Sequence, residues 1–92
     1  NAVENKFSVY PNPVKGNTTI EYTILQMTES KITLEVYSIL GLKINTLVNA
    51  SQQAGIYKYN FNPQNNNLNS GVYFITLTID GKTSTKRIVV ME

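Results

Sequence analysis

Ninety-two residues and 10.3 kDa suit one compact domain, which at this size buries roughly 60–65% of its unfolded surface. Eight Lys and Arg against six Asp and Glu leave a net charge of +2, too small to argue for nucleic acid or an anionic membrane as partner. With no Cys and no His there is no disulfide framework, thiolate nucleophile, zinc knuckle, Ser-His-Asp triad or imidazole ligand, which excludes the commonest hydrolase and metalloenzyme plans.

Residues 1–5 read as the end of a linker, leaving 6–92 as a single domain. The sequence opens on Asn1 without the basic region and apolar stretch of a signal peptide, as a piece of a longer chain would, and its end at Met91-Glu92 suits a natural C-terminus. No apolar run approaches the ~20 residues of a membrane span. Short runs of period-2 alternation then follow, separated by Gly, Pro, Asn and Ser. The first is 7–10, stopped by Pro11-Asn12-Pro13 and a turn at Lys15-Gly16-Asn17. The second, 18–25, sets Ile20, Tyr22 and Ile24 against Thr19, Glu21 and Thr23. The third, 31–38, sets Ile32, Leu34 and Val36 against Thr33, Glu35 and Tyr37.

A tight turn at Leu40-Gly41 leads to the fourth run, 42–48, expected to point Leu42, Ile44 and Val48 inward. The fifth, 56–61, has Tyr57, Tyr59 and Phe61 on one face. The sixth, 72–79, offers Tyr73, Ile75, Leu77 and Ile79. Asp80-Gly81 predicts a two-residue type I′ hairpin, and the seventh run, 83–90, places Ile88 and Val90 together opposite Arg87 and Val89.

Twelve Asn, ten Thr, nine Ile and eight Val make up 39 of the 92 residues. Ile, Val and Thr fit a pleated sheet and Asn fits turns, so the composition favours a β-rich domain. Only 15% of residues are charged, below the usual quarter, which suits an extracytoplasmic setting. Seven runs at this spacing predict an all-β, seven-stranded antiparallel immunoglobulin-like sandwich, with a closed barrel as the alternative. The longer connections at 26–30, 49–55 and 62–71 fit Greek-key crossings between two sheets.

Candidate chemistry is sparse. Six Asn in residues 60–69 offer carboxamides for sugar hydroxyls or Ca²⁺, but the stretch holds no carboxylate, and turn formation accounts for it. Tyr57 and Tyr59 offer a sugar-stacking pair, which motivates an alternative function as a carbohydrate-binding or spacer module of an extracellular hydrolase; their alignment with Phe61 points to core packing instead. The carboxylates Glu4, Glu21, Glu29, Glu35, Asp80 and Glu92 are isolated from one another, so no two-carboxylate centre is expected. Asn17-Thr18-Thr19 and Asn49-Ala50-Ser51 match the N-glycosylation pattern, a chance match in an Asn-rich chain. No catalytic constellation, metal site or cofactor site is read. Leu68-Asn69-Ser70-Gly71-Val72-Tyr73 is more specific: a Tyr just inside a strand after a Gly turn matches the tyrosine corner of immunoglobulin-like sandwiches.

Four motifs in order resemble the C-terminal sorting domains, of type A, of the Bacteroidota type IX secretion system. Phe7-Ser8-Val9-Tyr10-Pro11-Asn12-Pro13-Val14-Lys15-Gly16 resembles the family's "YPNP…G" opening. Val36-Tyr37-Ser38-Ile39-Leu40-Gly41-Leu42-Lys43-Ile44 resembles its "V-Y-D-x-x-G-K/R-x-V" hairpin, with Ser38 in place of Asp or Asn and Leu42 in place of Lys or Arg. Leu68 to Tyr73 is similar to "L-x-x-G-x-Y", and Lys86-Arg87-Ile88-Val89-Val90 to the closing "K-(K/R)-I-V-V". An Ig-like domain of flagellar hook-assembly scaffolds has a related pattern, but the PNP opening and basic ending favour the sorting domain.

The resemblance implies a non-catalytic secretion address on a larger protein. Its cargo, covalently attached at the N-terminal side, reaches the periplasm by a separate signal peptide. An outer-membrane translocon then recognises the domain, a sortase-like cysteine peptidase commonly removes it, and the cargo is anchored at the cell surface or released. By the same resemblance, recognition falls on Gly71, Tyr73, Lys86, Arg87, Ile88, Val89 and Val90. The physical expectation agrees with that placement: a last strand at a sheet edge leaves N–H and C=O groups open to strand addition. Lys86 and Arg87 point to opposite faces, either to meet a partner or to protect the edge.

Overall fold

The computed structural model describes residues 6–91; the linker expected at 1–5, with Glu4 and Glu92, lies outside the described residues. Eight strands form two sheets: β1 (Phe7–Tyr10), β2 (Val14–Lys15), β3 (Thr18–Ile24), β4 (Ser30–Ser38), β5 (Lys43–Gln52), β6 (Gly55–Phe61), β7 (Gly71–Ile79) and β8 (Lys82–Met91). A single 3-10 turn, Gln64–Asn66, interrupts the connection from β6 to β7. The three-stranded sheet has the order β1-β3-β6 and the five-stranded sheet the order β2-β8-β7-β4-β5.

Alternation decides which faces meet. Ile20, Tyr22, Ile24 and Phe61 of the smaller sheet share one core with Ile32, Leu34, Val36, Ile75, Leu77, Ile79, Ile88 and Val90 of the larger. These inward residues are those the period-2 pattern selects, and burying each aliphatic one contributes roughly 1.5–3 kcal/mol. The Asp80-Gly81 turn has positive φ at both residues, 49° and 84°, as type I′ geometry requires. Asp80 also reaches into the neighbouring strand: its Oδ1 accepts from the Lys31 N–H at 2.9 Å, and its N–H donates to the Lys31 carbonyl at 3.0 Å. The turn thereby holds β4 as well as its own hairpin.

Three expectations are corrected. The described residues form eight strands rather than seven, and not all are antiparallel: β2 pairs with β8 in parallel, Val14 opposite Val90 and Lys15 opposite Met91. Two residues between a proline and a turn carry no alternation, so nothing local marks them as a strand. Secondly, β5 extends to Gln52, so only Gln53-Ala54 separates it from β6 where a loop over 49–55 is expected. At the edge of its sheet a strand can keep Asn49, Ala50 and Ser51 in water while its backbone pairs with β4. Thirdly, Leu42 and Ile44 are exposed, at 66% and 37%, while Val48 is half-buried against the core. The larger sheet overhangs the smaller by two strands, and the β4–β5 ladder is shifted in register twice, between Leu34 and Glu35 and between Val36 and Tyr37. Among the described residues no second layer covers that end of β5.

Candidate functional site

The four motifs lie far apart in sequence and come together at one end of the molecule. Gly71 stands opposite Val90 and Tyr73 opposite Ile88 on β7 and β8. Val14, just after Pro13, pairs with the outer side of Val90. Ser38, closing β4, stands opposite Tyr73. Four strand ends, from β2, β8, β7 and β4, therefore form a continuous row.

Asn12 joins the first motif to the last. Its Nδ2 donates to the Arg87 carbonyl at 2.9 Å, and its Oδ1 accepts from the Val89 N–H at 3.0 Å. One carboxamide thus makes the two hydrogen bonds that a neighbouring strand would make, extending β2 along β8. Pro11 and Pro13, each preceded by a cis peptide bond, flank it; Thr18, buried, donates to the Pro11 carbonyl at 2.9 Å. Gly16, with φ 79°, turns the chain from β2 into β3. Sequence reasoning marked Asn12 only as a turn residue, because its partners lie 75 and 77 residues away.

In the third motif, the Tyr73 hydroxyl donates to the Asn69 carbonyl at 2.8 Å while the ring packs against the core, the geometry expected of a tyrosine corner. The structure holds a second one. The Tyr57 hydroxyl donates to the Gln53 carbonyl at 2.7 Å, again four residues upstream, and Gly55 and Gly71 share a φ of 155°. The signal was present in the repeated Gly-x-Tyr of Gly55-Ile56-Tyr57 and Gly71-Val72-Tyr73. Tyr57 also stacks on buried Tyr22, with centroids 5.5 Å apart, and Tyr59 packs on the core. Neither ring forms an exposed platform, so the feature that motivated a carbohydrate-binding module is absent from β6.

In the second motif, Ser38 takes the part of the missing carboxylate or carboxamide. Its Oγ accepts from the Leu40 and Leu42 N–H groups, both at 3.2 Å, and its carbonyl accepts from the Gly41 N–H at 2.9 Å. Gly41 supplies the positive φ of the turn, 85°. Beside it, the Lys43 ammonium pairs with Glu35 at 3.3 Å.

On the last strand, exposure divides the motif. Ile88 and Val90 are buried in the core, Val89 is half-buried, and Lys86 and Arg87 are exposed. Ile88 and Val90 therefore hold the strand in place, while Lys86, Arg87, Gly71 and parts of Val89 and Tyr73 remain open to solvent. The expectation of an open edge is also corrected over half its length: Asn12 and β2 occupy the outer side of β8 from the Arg87 carbonyl to Met91.

Elsewhere the polar groups serve the fold. Asn62 Oδ1 accepts from the Gln64 and Asn65 N–H groups, Asn67 adopts a left-handed φ of 58°, and Asn45 Nδ2 donates to Asn66 Oδ1 at 2.7 Å. The Asn-rich stretch is thus a tied-down turn. Glu21 accepts from the Tyr10 hydroxyl, which lifts the Tyr10 pKa above 10. Among the described residues no three acidic or metal-ligating side chains gather into a metal site.

The family model for secretion system C-terminal sorting domains matches residues 8–91. The chain belongs to that family. It is accordingly a non-catalytic secretion-signal domain. Among solved structures, the chain is similar to part of dimeric latent PorU from Porphyromonas gingivalis, with a TM-score of 0.72 and 14% sequence identity. The match covers 95% of this chain and 9% of that one, and at this identity it speaks for the fold alone. No curated protein matches the sequence. The sorting domain's four motifs are thus the parts of the chain that pack together at one end.

Proposed function

We propose that this sorting domain carries a covalently attached N-terminal cargo through the type IX outer-membrane translocon, and that the translocon reads the end where the four motifs meet. The cargo passes through the periplasm on its way; a sortase-like cysteine peptidase then removes the domain, leaving the cargo at the cell surface or released. The observation that carries this reading is the convergence: residues 11–16, 36–42, 68–73 and 86–90 contribute adjacent strand ends, tied by Asn12. Motifs that served only their own local turns would have no reason to adjoin. Two facing sheets, two tyrosine corners and a first strand divided between the sheets favour an immunoglobulin-like sandwich with Greek-key connections.

The chain enters at the opposite end from this site. Thr23, at the far end of β3, donates to the Lys6 carbonyl, whereas Tyr10 and Met91 lie at the motif end. A cargo joined before Lys6 thus leaves the proposed recognition end uncovered. The test is to fuse residues 1–92 behind a signal peptide and a reporter in a host with this secretion system. Surface exposure of the reporter supports the reading. Retention in the periplasm, beside a sorting domain that does export it, defeats it.

A further inference from the structure

We infer that the free outer edge of β8 over residues 83–87 takes an extended, carboxylate-bearing segment of another protein as an added strand. The parity of the ladder fixes which groups are available. In an antiparallel pair each residue turns both backbone groups to the same side, and successive residues alternate. Asn12 bonds the Arg87 carbonyl and the Val89 N–H on the side away from β7, so odd-numbered residues of β8 face outward. The two-residue turn agrees, since it makes Ile79 and Lys82 the first pair that faces inward. The N–H and C=O of Thr83 and Thr85 and the N–H of Arg87 consequently point out of the sheet.

Nothing among the described residues pairs with them. β2 reaches only Val90 and Met91, and Asn12 takes the two groups just below. The side chains around this edge are cationic on both faces. Lys82 and Lys86 share the parity of Ile88 and Val90, and Arg87 lies on the other face; all three are exposed. β8 contains no carboxylate, and the ion pair among the described residues is Lys43 with Glu35 on another strand. An incoming strand with alternating carboxylates meets both free backbone groups and unpaired cations, whereas a basic strand is repelled. The other open edges lack this combination: β1 has four residues, β6 carries Lys58 alone, and the cation of β5 is already paired.

The inference rests on the reading of the last strand as the recognised element only for its consequence in the cell; binding itself is tested in solution. Short peptides of alternating Glu and Val, or of Lys and Val, are titrated into the isotope-labelled chain while amide exchange is followed residue by residue. The Glu-Val peptide should protect the amides of Thr83, Thr85 and Arg87, and Lys82→Glu with Lys86→Glu should weaken it about tenfold. Thr85→Pro removes an outward N–H and no backbone bond to β7, losing on that side only the 3.4 Å contact between the exposed Thr85 and Thr76 hydroxyls, so that variant should fold and lose binding. Equal binding of the Lys-Val peptide, protection on β5 instead, or unchanged affinity in Thr85→Pro overturns the inference. Normal export of a Thr85→Pro fusion whose peptide binding is lost would overturn the last-strand reading while the strand site stands. Export that depends on Lys86 and Arg87 without any peptide binding would do the reverse.

Discussion

Replacing Asn12 tests whether one carboxamide closes the domain. Asn12→Ala removes two hydrogen bonds, to the Arg87 carbonyl at 2.9 Å and from the Val89 N–H at 3.0 Å. Both are solvent-accessible, so each contributes near the low end of the usual net value and the pair about 1–2 kcal/mol. For a domain of this size that lowers Tm by about 5–15 °C. Asn12→Asp is the sharper variant. Its carboxylate still accepts from Val89 but sets its second oxygen against the Arg87 carbonyl, so at neutral pH it should be no more stable than Asn12→Ala. Protonation restores a donor, which raises the carboxyl pKa in the folded state; the variant should gain on the parent as pH falls below about 5. Thermal melting across pH, with exchange of the Val89 amide as the local reading, follows both effects. An Asn12→Asp variant as stable as the parent at pH 7, with an equally protected Val89 amide, would refute the proposed role.

Gly81→Val should cost about 1–3 kcal/mol in melting experiments, because the turn holds φ at 84° and a β-branched residue is strained there. Lys86→Ala with Arg87→Ala should leave stability within about 1 kcal/mol yet reduce export of a fused reporter; normal export would assign the pair to edge protection alone. Tyr73→Phe and Tyr57→Phe should each lower stability by about 1 kcal/mol, since each removes one hydrogen bond at a corner; a loss at only one would show that the two corners are not equivalent. Burial raises the Tyr22 pKa above 10, against a smaller opposite effect of its bond to Gln52, so stability present below pH 10 should fall as pH rises past it. Tyr22→Phe should flatten that fall in part, Tyr10 and Tyr37 being raised as well; an unchanged slope would count against it.

What the sequence makes legible is local. Alternation marks seven of the eight strands and the inward faces of β3, β4, β7 and β8, because a period of two survives wherever a strand is covered on one side. It fails at Leu42 and Ile44, where coverage depends on how far another sheet extends. It also fails at β2, whose partner lies at the other end of the chain. The site divides in the same way. Gly71, Tyr73 and the Asp80-Gly81 turn are fixed by neighbours a few residues away, while the work of Asn12 is set by Arg87 and Val89.

The pairing of Val14 with Val90 also sets a clock. Synthesis proceeds from the N-terminus, so β2 and the Asn12 carboxamide wait for nearly the whole domain before their partner strand emerges. Until residue 90 has cleared the ribosome, the larger sheet lacks the strand between β2 and β7, and the core lacks Ile88 and Val90. A nascent chain that stalls anywhere earlier therefore presents no finished motif end. Contacts of such long sequence separation are slow to form, which leaves an interval in which every strand has been made but the larger sheet has not closed.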